Sequence, residues 1–212
     1  MKVCELFTSI QGESTFAGVP CTFVRLSGCN LRCSYCDTTY SYEEGTEMSI
    51  DQIMDRVSEE GLRLVEITGG EPLLQHAEVA ELTKRLLDAG YRVLIETNGS
   101  VSINSLDPRA IVIMDIKTPA SSMSEKNDLA NLIYLKPNDE IKFVICDRND
   151  YEWSKKMVQE QGLSKRCTVL FSPSAGTIAP RELAGWILQD RLDVRLNMQL
   201  HKIMFDPDER GV

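Results

Sequence analysis

The chain is predicted to be an α/β protein whose parallel strands curl into a partial, TIM-like barrel of about six strands, built as a single domain over residues 1–212. Three observations predict it. Apolar runs of four to six residues alternate with segments of helical periodicity, the pattern of strand–helix–strand units that pair in parallel and whose right-handed crossovers curl the sheet. Polar residues recur where each strand ends, the edge at which parallel α/β sheets carry their sites. The strand count is nearer six than the eight of a closed barrel. No internal repeat, low-complexity segment or linker divides the chain, and its length suffices for one continuous core.

Residues 3–7 form a short extended run leading into Ile10-Gln11-Gly12-Glu13. Gly12 permits a tight turn that brings backbone amides near a ligand, and Gln11 and Glu13 offer donors and acceptors suited to a heteroaromatic edge. Residues 21–26 read as a buried strand in which Arg25 is the odd member. A charge there needs a partner, either a substrate carboxylate or an internal ion pair. Ser49 and Gln52 form a capping box for a helix that stops at Gly61, with Ile50, Ile53, Met54 and Val57 on its apolar face. Strand 64–68 ends in Gly69-Gly70-Glu71-Pro72, a turn that exposes backbone groups. A helix over about 77–89, closed by Gly90, precedes strand 92–96, which ends in Thr97-Asn98-Gly99. Strand 110–114 ends in Asp115-Ile116-Lys117, and the polar stretch 119–131 reads as mobile or abbreviated. Then come strand 140–145, a helix over 150–161, strand 168–171 ending in Ser172-Pro173-Ser174, a helix over 180–189 and strand 193–197.

The chain is organised around Cys29, Cys33 and Cys36, spaced C-x3-C-x2-C in the loop after the second run. Structural zinc takes four ligands, and neither His76 nor His201 has finger-like spacing to these cysteines. Three thiolates suit a [4Fe–4S] cluster with one iron open to an exogenous ligand. Cys4, Cys21, Cys146 and Cys167 lie singly in apolar segments and read as small buried hydrophobes, which implies a reducing cytoplasm. A net charge of −9 argues against a broad nucleic-acid surface. No apolar run reaches the ~20 residues of a membrane span, and the N-terminus has no secretory pattern.

The cysteine spacing, with Tyr35 before the last cysteine, resembles the signature of radical S-adenosylmethionine (SAM) enzymes. Taken with Gln11-Gly12-Glu13, Arg25, Cys36-Asp37-Thr38, Thr68 through Pro72 and Met198-Gln199-Leu200-His201-Lys202, it resembles the 7-carboxy-7-deazaguanine synthase family over essentially the whole chain. Ser14 departs from the glycine that family often has after the glutamate.

The resemblance implies a radical ring contraction of 6-carboxy-5,6,7,8-tetrahydropterin to 7-carboxy-7-deazaguanine with loss of ammonia, in queuosine and related 7-deazapurine biosynthesis. It implies cluster ligation by Cys29, Cys33 and Cys36. SAM contacts are implied for Tyr35, Cys36, Asp37, Gly70 and Glu71, and for Asn98, Asp115, Lys117 and Ser172, Pro173 and Ser174. Pterin contacts are implied for Ile10, Gln11, Gly12, Glu13, Arg25 and Thr68, and for the carboxylate of Val212. Thr38 is implied to hold Mg2+, with Asp37 as competitor for that ion. An external electron donor and a homodimer follow from the same resemblance. His201 is expected to have a structural role and His76 to be surface. An activase that makes a glycyl radical on a partner shares the cysteines and the Gly-Gly-Glu-Pro turn but has no use for Gln11 or Arg25. A non-catalytic iron–sulfur carrier or zinc-binding regulator leaves the strand-end motifs unexplained.

Overall fold

A computed structural model describes residues 1–206 and 209–212. Strands β1 (Lys2–Ile10) and β2 (Pro20–Leu26) pair antiparallel, and the two-residue β3 (Thr46–Glu47) adds to the outer edge of β1. From β2 onward every neighbour is parallel: β4 (Leu64–Gly69), β5 (Arg92–Thr97), β6 (Ile111–Asp115), β7 (Glu140–Ile145), β8 (Thr168–Pro173) and β9 (Arg195–Leu196). The sheet order is β3-β1-β2-β4-β5-β6-β7-β8-β9, and its two ends do not pair, so the barrel is open. The expected six parallel strands are there in full length. The seventh, expected over 193–197, shrinks to two residues, and β1 is longer than its sequence suggests because β2 zips along it to Ile10.

Parallel strands covered on both faces read as continuous apolar runs, and β4 is buried from Leu64 to Thr68. The outward face packs on helices. Val24, Val65, Ile67, Val93, Ile95 and Ile141 meet α1 (Ile50–Glu60), α2 (His76–Asp88), α3 (Arg148–Gln161) and α4 (Pro180–Asp190) through residues such as Ile53, Leu82, Tyr151 and Leu183. The inward face changes character along the strands. At the floor, Cys21, Phe23, Leu64, Leu94 and Ile113 form a small separate core. Two residues further along the same strands come Arg25, Glu66, Glu96 and Asp115, because side chains repeat on one face every second residue.

The helix ends follow their expected chemistry. Ser49 Oγ accepts from Gln52 N at 3.2 Å and Gln52 Oε1 accepts from Ser49 N at 2.8 Å, while Gly61 takes φ +69°. Helix α3 starts two residues earlier than expected because the Asp147 carboxylate caps it, accepting from Asp150 N at 2.8 Å. No α-helix links β6 to β7, so that crossover is abbreviated as expected, but it is not loose. It forms 3-10 turns pinned by the fully buried Asn131, whose Oδ1 accepts from Ile103 N at 3.0 Å and whose Nδ2 donates to Val101 O at 2.9 Å. No helix among the described residues is long and apolar enough to cross a membrane.

Candidate active site

The C-terminal ends of the parallel strands surround a cavity of about 770 Å3, within the usual size for a small-molecule site. The cysteine loop forms one wall. It leaves β2 at Gly28, which takes φ +94°, and is anchored by the buried Leu31 and by Ser34 N donating to Ser121 O at 3.1 Å. Cys29, Cys33 and Cys36 are half-buried and border the cavity. Burial pushes the Cys29 and Cys33 thiols up.

The Gly-Gly-Glu-Pro turn docks directly on this loop. Gly70 N donates to Leu26 O at 3.2 Å and Glu71 N to Gly28 O at 2.7 Å. A Cβ on Gly69 would strike Leu26 O, and one on Gly70 would strike Gly28 O and come within 2.9 Å of Cys29 Cβ. The glycines are therefore required by the approach of two backbones. Glu71 does not line the cavity. Its carboxylate is fully buried and accepts from Leu73 N at 2.9 Å, Thr97 Oγ1 at 2.9 Å and Asn98 N at 2.7 Å, tying β4 to the end of β5. Its side chain is thus a brace, and a contact with SAM would fall to the backbone of the turn. Ser172 and Pro173 also lie off the cavity, the Ser172 hydroxyl accepting from Asn197 Nδ2 at 2.8 Å. Ser174, one period further along, does line it.

Two observations bear on whether the residues suit a cluster with SAM beside it. Among the described residues no three His, Cys, Asp or Glu side chains converge on a point that one metal ion would fill. The three thiols instead border one wide space, as a cube with thiolates on three separate corners requires. Beside them, Tyr35 Oη and Asp115 Oδ1 are buried without a hydrogen-bond partner, and both residues line the cavity. Lys117 lies against both, its Nζ 3.0 Å from Asp115 Oδ2 and 6.0 Å from the Tyr35 ring centre. Orphaned polar groups of this kind mark where a polar ligand belongs. The residues fit the group.

The opposite wall carries the motifs assigned to a heteroaromatic substrate. Gln11 is buried and donates through Nε2 to Glu66 Oε2 at 2.5 Å, while its Oε1 accepts from Glu13 N. Glu13 accepts from Lys142 Nζ at 2.9 Å and Gln199 Nε2 at 3.0 Å. Arg25 forms the internal ion pair weighed as its alternative, Nε to Glu5 Oε2 at 2.9 Å, yet its side chain also borders the cavity. Thr68 Oγ1 donates to Glu96 Oε2 at 3.2 Å. Thr38 lines the cavity with its hydroxyl 3.8 Å from Cys36 Sγ.

The C-terminal segment closes the rim. Gly211 and Val212 border the cavity, and Arg210 pairs with Glu44 at 2.9 Å while stacking 3.8 Å over the Tyr40 ring. His201 packs edge-on against Gly12, leaving no room for a Cβ there, and burial holds its imidazole below the usual range. That packing contact is compatible with the structural role expected of it. Lys202 pairs with Asp37 at 2.5 Å. Burial alone would raise the Asp37 carboxyl, but this ammonium outweighs it and holds it low.

Sequence reasoning missed the charged belt below these groups. Lys142 sits in β7, 5% exposed, between Glu13 at 2.9 Å, Glu96 and Asp115 at 3.6 Å. Burial opposes its charge, but Glu13, Glu96 and Asp115 together keep it protonated. Burial, aided by the negative charge of Glu96, pushes the Glu66 carboxyl up to about 8. The signal was available: Glu66, Glu96 and Lys142 are charges within apolar strands, the criterion that singled out Arg25.

The profile of the radical SAM superfamily matches residues 23–160. The chain is 44% identical over 226 residues to the 7-carboxy-7-deazaguanine synthase of Koribacter versatilis, covering all of both chains. It is 47% identical over 215 residues to the enzyme of that name from Chlorobaculum tepidum, covering all of this chain and 97% of the relative. Among solved structures it is similar to QueE from Escherichia coli, with a TM-score of 0.78, 25% identity and 94% of each chain covered. Streptococcus suis SuiB, at 15% identity and a TM-score of 0.59 over 83% of this chain and 48% of that one, shares the fold alone.

Proposed function

The chain belongs to the radical SAM superfamily and, within it, to the 7-carboxy-7-deazaguanine synthases of queuosine biosynthesis; on that footing we propose how its own residues carry the conversion of 6-carboxy-5,6,7,8-tetrahydropterin. One observation supports this most: a single cavity is bordered at once by the three cysteines, by Tyr35 and Asp115, whose Oη and Oδ1 have no hydrogen-bond partner among the described residues, and by the Gln11–Glu13 turn with Arg25 and Thr68. A bound [4Fe–4S] cluster with SAM would supply the one-electron radical chemistry. Cys29, Cys33 and Cys36 hold the cluster. Gly70, Asn98, Asp115, Lys117, Ser174 and the Tyr35-Cys36-Asp37 backbone hold SAM against it.

On the other side, the pterin lies over Ile10, Gln11 and Gly12 with its carboxylate toward Arg25. Among the described residues the ion pair of Arg25 uses only Nε, which leaves its Nη groups for that carboxylate. Thr68 and Glu13 orient the ring, and Val212 closes over it. Thr38, whose hydroxyl lines the cavity, would hold Mg2+ as a hard oxygen donor for a hard cation. The chain's contribution is to fix the reacting carbon near the radical and to exclude water and oxygen around it. A homodimer and an external electron donor in the cytoplasm complete this reading. A glycyl-radical activase has no comparable use for Gln11 and Arg25 on the cavity wall.

An anaerobic assay of the cluster-reconstituted protein with SAM, reductant, Mg2+ and 6-carboxytetrahydropterin tests it. Mass spectrometry is expected to show 7-carboxy-7-deazaguanine, and Cys33→Ala to abolish it. Cleavage of SAM without that product would sink the pterin assignment while leaving the radical site standing.

A further inference from the structure

The carboxylates bordering the cavity differ in what already satisfies them. Glu13 accepts from Lys142 and Gln199, and Glu96 from Lys142 and Thr68. Asp37 is paired with Lys202, and Asp115 lies with Lys117 and Tyr35 on the cysteine side. Asp206 and Glu209 are exposed at the rim. Glu66 is different. It borders the cavity, is 2% exposed, and among the described residues its one side-chain hydrogen bond is from Gln11, on Oε2. Ionising a carboxyl in that state costs stability, since burial and the Glu96 charge both oppose it and hold the group largely protonated near neutral pH; donors from a ligand bring out the carboxylate. Such a cost is retained where a ligand removes it.

Its position narrows the ligand. Glu66 lies two residues before Thr68 on β4, about 6.6 Å deeper along the same face. Directly beneath it is the apolar floor of Cys21, Leu64 and Leu94. Beside it, in register, is Phe23, stacked on Phe7 with centroids 4.9 Å apart, and both rings border the cavity. A flat ring that reaches this depth meets an aromatic wall and ends against a carboxylate with acceptors to offer. The edge that satisfies it carries adjacent N–H donors, and of the substrate's edges only the aminopyrimidinone, with its 2-amino group and neighbouring ring N–H, does so.

We propose that Glu66 is the specificity residue of this site: its carboxylate accepts from the 2-amino group and adjacent ring N–H of the pterin and fixes which end of the ring enters first. This rests on the substrate reading given above. It adds a donor-selective subsite, reached together with Gln11, to the shallower contacts of Arg25 and Thr68.

The test compares 6-carboxytetrahydropterin with its 2-oxo analogue, in which the exocyclic donor becomes an acceptor, using the cluster-loaded enzyme. Wild type is expected to process the analogue at least 100-fold less efficiently in kcat/KM, because a site built to accept a hydrogen bond rejects a group that cannot donate one. Glu66→Gln, whose amide both donates and accepts, is expected to raise KM for the pterin about 10- to 100-fold and to shrink the discrimination to under about tenfold. A wild-type ratio below about tenfold overturns the proposal, as does a Glu66→Gln enzyme that keeps both KM and discrimination. The wild-type ratio needs no substitution, so it decides even where the variant fails to fold. A wild-type enzyme that makes no product from the pterin overturns the substrate reading as well, which separates the two failures.

Discussion

Ser14 shows how a single side chain can work against its own backbone. It sits in the left-handed region at φ +64°, 1% exposed, in the turn that leads from Glu13 back toward β2. That conformation costs a residue with a Cβ about 1–2 kcal/mol, which explains why glycine suits the position in the family the chain resembles. The serine recovers part of the cost, because its Oγ accepts from Phe16 N at 3.0 Å. Ser14→Gly therefore exchanges strain relief for a lost hydrogen bond and is expected to change stability by less than about 1 kcal/mol. Ser14→Val keeps the strain, adds β-branching and removes the acceptor, and is expected to lose more than about 2 kcal/mol. Urea denaturation of the three proteins checks both, and an equal loss in the two variants would refute the account. Residue roles were only partly legible in the sequence. Glu71 stands in a motif that points to SAM, but the motif carries no direction for the side chain, and the structure turns it inward as a brace.

At the scale of elements, the turn after β4 and the loop after β2 behave as one unit. A methyl group on Gly70 meets a backbone carbonyl, which has no rotamer to escape into, so the loop must move. Gly70→Ala is expected to lower iron incorporation several-fold and to alter the cluster's EPR signal, with the far-UV circular dichroism unchanged. Full iron content in that variant would refute the docking argument. Most elements were readable in advance, for a physical reason. Apolar alternation and end chemistry are local, so Ser49, Gln52 and Gly61 placed α1 without knowledge of its neighbours. Two readings fell short. The start of α3 depends on one local capping carboxylate that was passed over, and the order of segment 119–131 depends on a distant contact, Asn131 reaching back to Gly99 and Val101. Strand β9 keeps only the residues that β8 pairs with.

Across the whole molecule, Lys142 joins groups that are far apart in sequence: Glu13 after β1, Glu96 on β5 and Asp115 on β6. Removing the cation leaves buried carboxylates uncompensated, so Lys142→Met is expected to lose about 3–5 kcal/mol. Adding Glu96→Gln should restore part of it. Denaturation of the four members of this double-mutant cycle measures the coupling, and additive losses would show that the two do not interact. No window of the sequence displays this belt, because each charge looks like an isolated exception within its own strand and only the curl of the sheet brings them together. The order of the partners along the chain has a consequence for synthesis. The ribosome delivers Glu13 and Glu96 well before the lysine that neutralises both. A nascent chain halted before β7 carries an acidic interior with its main counter-charge still untranslated, and its first strands have an electrostatic reason to stay apart. The charged interior of the open barrel is thereby balanced only when one late residue arrives.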